Sequence, residues 1–335
     1  MGAQLSAAVP AISLSLERCI SGTEDLEFLA SLGSTRFMKV AKGMHSEGYC
    51  VIKVFIINDP SLPLKPYQSR INDIYAILRE APNCLPFSRT FITPKAAILV
   101  RQYLKDNLYD RLSTRPFLTE TEKLWIAFQL LKALEQCHRA DICHGDIKCE
   151  NVLITSSTWT LLTDFANFKP SHLPYNNPTN FTYFFDTSRR RICYIAPERF
   201  VDTSDAATSG NLFPDDLIQN AKFPLLHSGD IFSTGCVLLE LFSDGTPPFD
   251  FSQLLAYRER RYYPDKVINT IKCAALRELV QSMIQLEVSQ RLTAEQYLDK
   301  YRLSVFPEIF YSFLWPYLKS FVEIPILSDD DKAKK

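Results

Sequence analysis

The sequence predicts an α+β chain built as two lobes, a small strand-rich one followed by a larger helical one. Alternating, β-branched runs cluster before residue 104, a capping box opens an amphipathic helix soon after, and residues 231–242 form a helical segment apolar on nearly all faces. The 335 residues, 46% hydrophobic, suffice to bury a core of that size. No internal repeat is visible, so the lobes read as one fold and not an array. The expected division is an N-terminal extension over residues 1–24, a first lobe over 25–104, a second over 105–320, and a charged tail or linker start over 321–335.

In the first lobe, residues 49–57 (YCVIKVFII) read as a strand with Lys53 facing away from Ile52 and Val54. Residues 96–103 read as another strand and residues 67–78 as one weak helix. In the second lobe Thr119 and Glu122 match the S/T-x-x-E box, and Leu124, Phe128, Leu131, Leu134 and His138 follow at helical spacing. Short strands are expected around 151–154 and 159–163, then a loop rich in Pro, Asn and aromatic residues up to Pro197. Helices are expected over 231–242, 276–286 and 294–301, and residues 328–335 read as a mobile charged tail.

Lys plus Arg number 37 against 38 Asp plus Glu, so no global field of either sign draws the chain to nucleic acid. Nine cysteines, odd in number and without a CxxC pair, read as reduced cytosolic thiols. Cys137, Cys143, His144 and Cys149 are close in sequence, but their spacing matches no common zinc pattern. No apolar run approaches the ~18 residues of a membrane span. The first basic side chain is Arg18, so the basic start of a secretory signal is missing.

The chemistry-bearing residues fall in one order. HGDIKCEN at 144–151 is followed by TDFA at 163–166 and APE at 196–198. Lys53 stands ahead of them on its strand; behind them Asp230 opens the buried helix as DIFSTG, and Arg291 is placed to pair with Glu198. In this order and at this spacing they resemble the strand lysine, catalytic loop, metal-binding segment, APE motif and buried helix of protein kinases. That resemblance implies a bilobal protein-kinase fold and phosphoryl transfer, chemistry that asks for positioning and charge neutralisation. It casts Asp146 as the group that orients an acceptor hydroxyl and takes its proton, Asn151 and Asp164 as magnesium ligands, and Lys53 as the partner of the α- and β-phosphates of ATP or GTP. Lys148, two residues after the base, is the serine/threonine-kinase form of this loop. The implied nucleotide slot adds Gly33 and Val40 from the first strands and Arg101, Gln102 and Leu104 at the hinge, while Glu198, Arg291 and Asp230 are structural.

The departures are as informative. GSTRFMKV at 33–40 keeps only the first glycine of G-x-G-x-x-G-x-V, so bare backbone cannot meet phosphates at Thr35 and Met38. The helix that should offer Lys53 a glutamate offers only Asp73; Gly145 replaces the arginine before the base, and Ala166 replaces the DFG glycine. Weak or slow protein-kinase activity is the expectation. With no arginine at 145, a phosphate on Thr187 or Ser188 is not expected to act as a switch; the run Arg189, Arg190, Arg191 is either substitute positive charge or a solvated loop. Arg101 falls at the gatekeeper position, where a buried guanidinium, offering only donors, needs an acceptor. That acceptor is either guanine O6, which would favour GTP over ATP, or an acidic side chain such as Asp73 or Asp164, which would leave base choice unaffected.

The first residues, MGAQLS, fit the M-G-x-x-x-[ST] signal for N-myristoylation at Gly2. One such chain binds membranes only marginally and no polybasic run stands beside it, so a second anchor is implied, most simply a membrane-bound partner. MGAQLS, LGSTRF, RQYLKDNLYDRL, STRPFL, HGDIKCEN, LLTDFANFKP, FFDTSRRRICYIAPERF and FPEIFY together resemble the kinase-like domain of the regulatory-subunit-4 family of class III phosphatidylinositol 3-kinase, from Met1 to about Leu318. The resemblance implies a scaffold for the lipid kinase's catalytic subunit and a beclin-type subunit in endosomal sorting and autophagy. It also implies a cytoplasmic protein, peripheral on endosomal and autophagic membranes, and a domain taken from a longer chain. Three roles compete: a nucleotide-binding pseudokinase that regulates its partner by contact, an active serine/threonine kinase that phosphorylates itself or that partner, and a small-molecule kinase, which the APE segment and long activation loop disfavour.

Overall fold

The computed structural model describes residues 16–20, 23, 25–35, 37–57, 64–165, 169–175, 178–186, 190–201 and 225–322. The expectations for Gly2, Ala166, Thr187, Ser188, Arg189 and the charged tail lie outside them.

A short helix α1 (Leu16–Ile20) precedes the strands β1 (Glu27–Ser34), β2 (Lys39–His45) and β3 (Gly48–Ile56), then α2 (Leu64–Leu78), β4 (Cys84–Leu85), β5 (Arg89–Ile92) and β6 (Ala96–Gln102). All but β4 form a five-stranded antiparallel sheet in the order β1-β2-β3-β6-β5. Strand alternation divides β3 between two cores. Ile52 and Val54 join Ile98 and Val100 in an outer cluster closed by Cys19 and Ile20, whereas Phe55, Ala97 and Leu99 face the large inner cluster. Ile20 is 0% exposed and packs in this outer cluster, so α1 joins the first lobe's packing although it precedes the boundary expected at residue 25. The α2 helix starts three residues before the predicted 67 and buries Leu64, Ile71, Ile74 and Leu78.

The second lobe follows with β7 (Asp106–Asn107), α3 (Leu108–Ser113), α4 (Glu120–Arg139), β8 (Val152–Ile154), β9 (Thr160–Thr163), β10 (Leu173–Pro174), α5 (Pro178–Phe184) and β11 (Phe200–Val201). Then come α6 (His227–Phe242), α7 (Phe251–Arg258), α8 (Asp265–Ile268), α9 (Ala274–Met283), α10 (Ala294–Lys300) and α11 (Trp315–Val322). The predicted capping box holds: Thr119 accepts from Glu122 N–H and Glu122 returns the bond to the Thr119 backbone. The α6 helix is buried without interruption from Gly229 to Phe242, as its apolar composition requires. Strands β4-β9-β8-β7 form a four-stranded sheet along the cleft. Inside the predicted loop before Pro197 lie α5 and β10, and β10 pairs in parallel with β11 just beyond that proline. The α5 sequence PTNFTYF is a poor helix former; Pro at its first position starts it, and burial of Phe181 and Phe184 holds it.

Candidate active site

In the β3–β6 pair Lys53 lies opposite Leu99 and Arg101 opposite Val51, so the two cations stand diagonally on the cleft face. Both reach Asp164, the residue after β9, which is 2% exposed and has φ +69°. Lys53 Nζ donates to one carboxylate oxygen and Arg101 Nε to the other at 3.1 Å, while a second Arg101 nitrogen donates to the Gln102 carbonyl at 3.1 Å. Burial alone would raise the Asp164 carboxyl; the Lys53 and Arg101 charges outweigh it and hold it well below the usual carboxylate range. Of the two acceptors considered for Arg101, the structure thus supplies the acidic side chain. Asp73 does not serve Lys53: with Ile71 and Ile74 facing inward it is exposed, and no ion pair of it occurs among the described residues.

Antiparallel pairing of Val152 with Leu162 sets Asn151 and Asp164 at adjoining strand ends. Asn151 Nδ2 donates to the backbone carbonyl of Asp146 at 2.7 Å and to its carboxylate at 3.1 Å. Lys169 Nζ donates to the same carboxylate at 2.6 Å, and Lys148 Nζ lies 3.6 Å from it while donating to the Phe185 carbonyl at 3.3 Å. Burial would raise Asp146, but the ammonium groups of Lys148 and Lys169 override it and bring the carboxyl down to about 2. Burial draws the Lys169 ammonium down to about 7 against the pull of Asp146. Sequence reasoning missed Lys169, because its partner lies 23 residues away and meets it only when the segment folds back.

The loop is held from beneath. Asp230, 2% exposed, accepts from the backbone N–H of His144 at 2.7 Å and of Gly145 at 2.8 Å, and contacts His138 Nε2 at 3.1 Å. His144 Nε2 donates to the Thr163 carbonyl at 2.7 Å, leaving Nδ1 to accept from Asp146 N–H at 3.1 Å, and its ring meets Phe165 edge-on at 4.7 Å. Arg291, whose side chain is fully buried, grips Glu198 at 2.7 and 3.0 Å, the pair foreseen from the sequence.

The phosphate side differs more. The Thr35 hydroxyl accepts from the N–H groups of Phe37 at 3.2 Å and Met38 at 2.8 Å and donates to the Met38 carbonyl at 3.0 Å, so these amides turn inward rather than toward a ligand. Phe37 is buried against Phe55 at 5.2 Å and against Phe184 of α5 at 5.1 Å. Gly33 adopts φ +134°, Val40 lies opposite Lys53 in the sheet, Gln102 is exposed at the end of β6 and Leu104 is half-buried just past it. Asp164 and Asn151 offer hard oxygens, the sparse set magnesium takes when nucleotide phosphates and water complete its shell. The donor set fits that ion in kind, with Arg101 an added competitor for Asp164. Among the described residues no group of three or more His, Cys, Asp or Glu gathers for a metal. Cys137 and Cys143 donate instead to the carbonyls of Leu134 at 3.4 Å and Leu225 at 3.3 Å, and Cys149 to Glu240 at 3.0 Å.

Three similar proteins bear one name. The serine/threonine-protein kinase VPS15 of Arabidopsis thaliana is 48% identical over 286 residues, 84% of this chain and 18% of that protein. Its Saccharomyces cerevisiae namesake is 43% identical over 326 residues, 96% of this chain and 22% of that protein. The Schizosaccharomyces pombe namesake is 44% identical over 296 residues, 88% of this chain and 16% of that protein. The chain therefore spans about a fifth of the length of the curated relatives it matches. Residues 26–301 match the protein kinase domain family, a span that holds the whole cleft from Lys53 to Asp164 and the Glu198–Arg291 brace, and by that match the chain belongs to this family.

Proposed function

We propose that the chain is a serine/threonine protein-kinase-like regulatory domain that binds a magnesium nucleotide, transfers phosphoryl groups slowly, and regulates and anchors a class III phosphatidylinositol 3-kinase in endosomal sorting and autophagy. The observation that supports it is the uneven cleft. Its catalytic side is complete, with Asp146 bonded to Asn151 and Asp164 to Lys53, while its nucleotide side is altered at Thr35, Asp73 and Arg101. The complete side also favours a second reading, a fully active serine/threonine kinase acting on itself or on its lipid-kinase partner.

In such transfer Asp146 orients the acceptor hydroxyl and accepts its proton, Asn151 fixes the Asp146 carboxylate, Lys148 places positive charge beside the transferred group, and Lys53 neutralises the nucleotide phosphates. Magnesium held by Asp164 and Asn151 would supply charge neutralisation at the phosphates. A carboxylate brought down to about 2 is a weak proton acceptor. As pH rises through the lowered Lys169 value of about 7, that ammonium loses its proton and Asp146 gains basicity, so transfer is expected to rise across this window. Lys169→Met should raise the rate below that window and flatten the profile; a pH–rate curve unchanged by the substitution contradicts this. Lys169 also binds its proton less tightly folded than unfolded. Between its folded value of about 7 and the ordinary lysine range the unfolded chain holds more protons, so this group's contribution makes stability rise with pH there.

Nucleotide binding is read by thermal shift, since a ligand stabilises by RT ln(1 + [L]/Kd). MgATP is expected to raise Tm. MgGTP does better only if guanine draws Arg101 off Asp164, and Arg101→Met should then narrow or reverse the GTP advantage while strengthening the response to magnesium. No shift with either nucleotide contradicts the nucleotide-binding reading. Membrane anchoring is assigned to a myristoyl group on Gly2, with the lipid kinase's catalytic subunit and a beclin-type subunit as the second attachment, and with the protein cytoplasmic and peripheral on endosomal and autophagic membranes. Gly2→Ala should abolish acylation and lower the membrane-bound fraction without changing Tm; an unmodified N-terminal peptide from wild-type protein made in eukaryotic cells contradicts this. Co-purification with the class III catalytic subunit should survive Asp146→Asn, because regulation by contact does not need the base.

A further inference from the structure

The activation segment carries its own cations. Arg199, the residue after the APE motif, is 6% exposed, and its guanidinium donates to the Gly145 carbonyl in the catalytic loop, to the Ser171 carbonyl at 2.5 Å and to the Pro170 carbonyl at 3.1 Å. It also lies 5.4 Å from the centre of the Phe185 ring. A rigid, five-donor fork is suited to joining three carbonyls from two separate stretches, Gly145 on one side and Pro170 and Ser171 on the other. Arg190, from the same segment, donates to Glu240 of α6 and, at 3.3 Å, to Glu150 beside the catalytic loop. Glu240 is 0% exposed and also accepts from the Tyr194 hydroxyl at 2.6 Å and the Cys149 thiol at 3.0 Å. A carboxylate this deep is tolerable only with such partners, and removing its cation strands the charge.

In kinases with an arginine before the catalytic aspartate, the cation is fixed on the loop and the anion arrives on the activation segment as a phosphate. Here the polarity is reversed. The cations Arg190 and Arg199 sit on the segment, and the acceptors Glu240, Glu150 and the Gly145 carbonyl sit on the frame. Position 145 disfavours the family's arginine: its φ of +75° strains any residue with a Cβ, and that Cβ would also have to displace the end of the Leu225 side chain, 2.8 Å away. We propose that Arg199 and Arg190 are positioning residues that lock the activation segment to the catalytic loop without any phosphate, a regulation that rests on reading the cleft as a kinase site.

Hydrogen exchange on the full chain, resolved by peptide, tests the lock with a readout that is independent of catalysis. Phosphatase-treated wild type, verified by mass, is expected to exchange residues 144–151 and 169–175 as slowly as untreated protein. Arg199→Met should speed exchange at 169–175 by about tenfold or more while leaving α4 and α9 unchanged. Arg190→Met should do the same at 190–195, and Arg199→Lys, with a charge but no fork, should fall between wild type and Arg199→Met. Faster exchange at 169–175 after dephosphorylation alone would overturn the proposal. So would an Arg199→Met protein with unaltered exchange there, or one in which every helix loosens equally. A wild type without a thermal shift in either MgATP or MgGTP defeats the kinase reading and leaves the lock to be decided by the exchange data.

Discussion

Asp146→Asn is expected to lower phosphoryl transfer by ~10²–10⁴-fold, the usual range for losing a positioned base. Nucleotide binding should persist, because Lys53, Arg101 and Asp164 form a separate cluster that the change does not touch. The backbone carbonyl of residue 146 still accepts from Asn151, so the loop keeps its shape, while Lys148 and Lys169 lose their shared counter-charge. Single-turnover transfer, with MgATP thermal shift as the binding control, separates the two effects. Equal transfer rates in wild type and variant would remove Asp146 from its role.

Arg291→Met is expected to carry the largest cost in stability. The guanidinium is fully buried, holds both oxygens of Glu198, and also donates to the carbonyls of Ser228, Gln285 and Leu286. Breaking a buried pair from one side costs about 3–5 kcal/mol. For a domain of this size that lowers Tm by roughly 5–15 °C. Calorimetry reads it directly; a Tm within about 2 °C of wild type would mean that the brace contributes little.

Features governed by local rules were legible in the sequence. The Thr119–Glu122 box, the alternation around Lys53 and the apolar run of α6 each depend on neighbours within a turn or a strand, and each has its predicted form. Glu198 and Arg291, 93 residues apart, were paired only through the resemblance of their motifs to a known fold. What stayed hidden is contact between segments that no motif links. Lys169 on Asp146, Arg199 on the Gly145 carbonyl and Arg190 on Glu240 all require the activation segment to fold back, and none is marked by spacing. For Arg101 the sequence stated the need for an acceptor but not which acceptor; the fold answers with Asp164, on the strand end facing β6. The packing of α1 was missed because five residues carry too little periodicity to announce a buried face.

In the function proposed above, the cluster of Asp146, Asn151, Asp164 and Lys53 transfers phosphoryl groups to serine or threonine and is not merely a set of charges that braces loops. Phosphosite mapping of the purified chain, incubated with magnesium and either ATP or GTP, tests this most directly, with Asp146→Asn treated in parallel. Slow, magnesium-dependent modification of serine or threonine is expected in wild type and none in the variant. Identical sites at equal occupancy in both proteins, or none in wild type after prolonged incubation with either nucleotide, would contradict it.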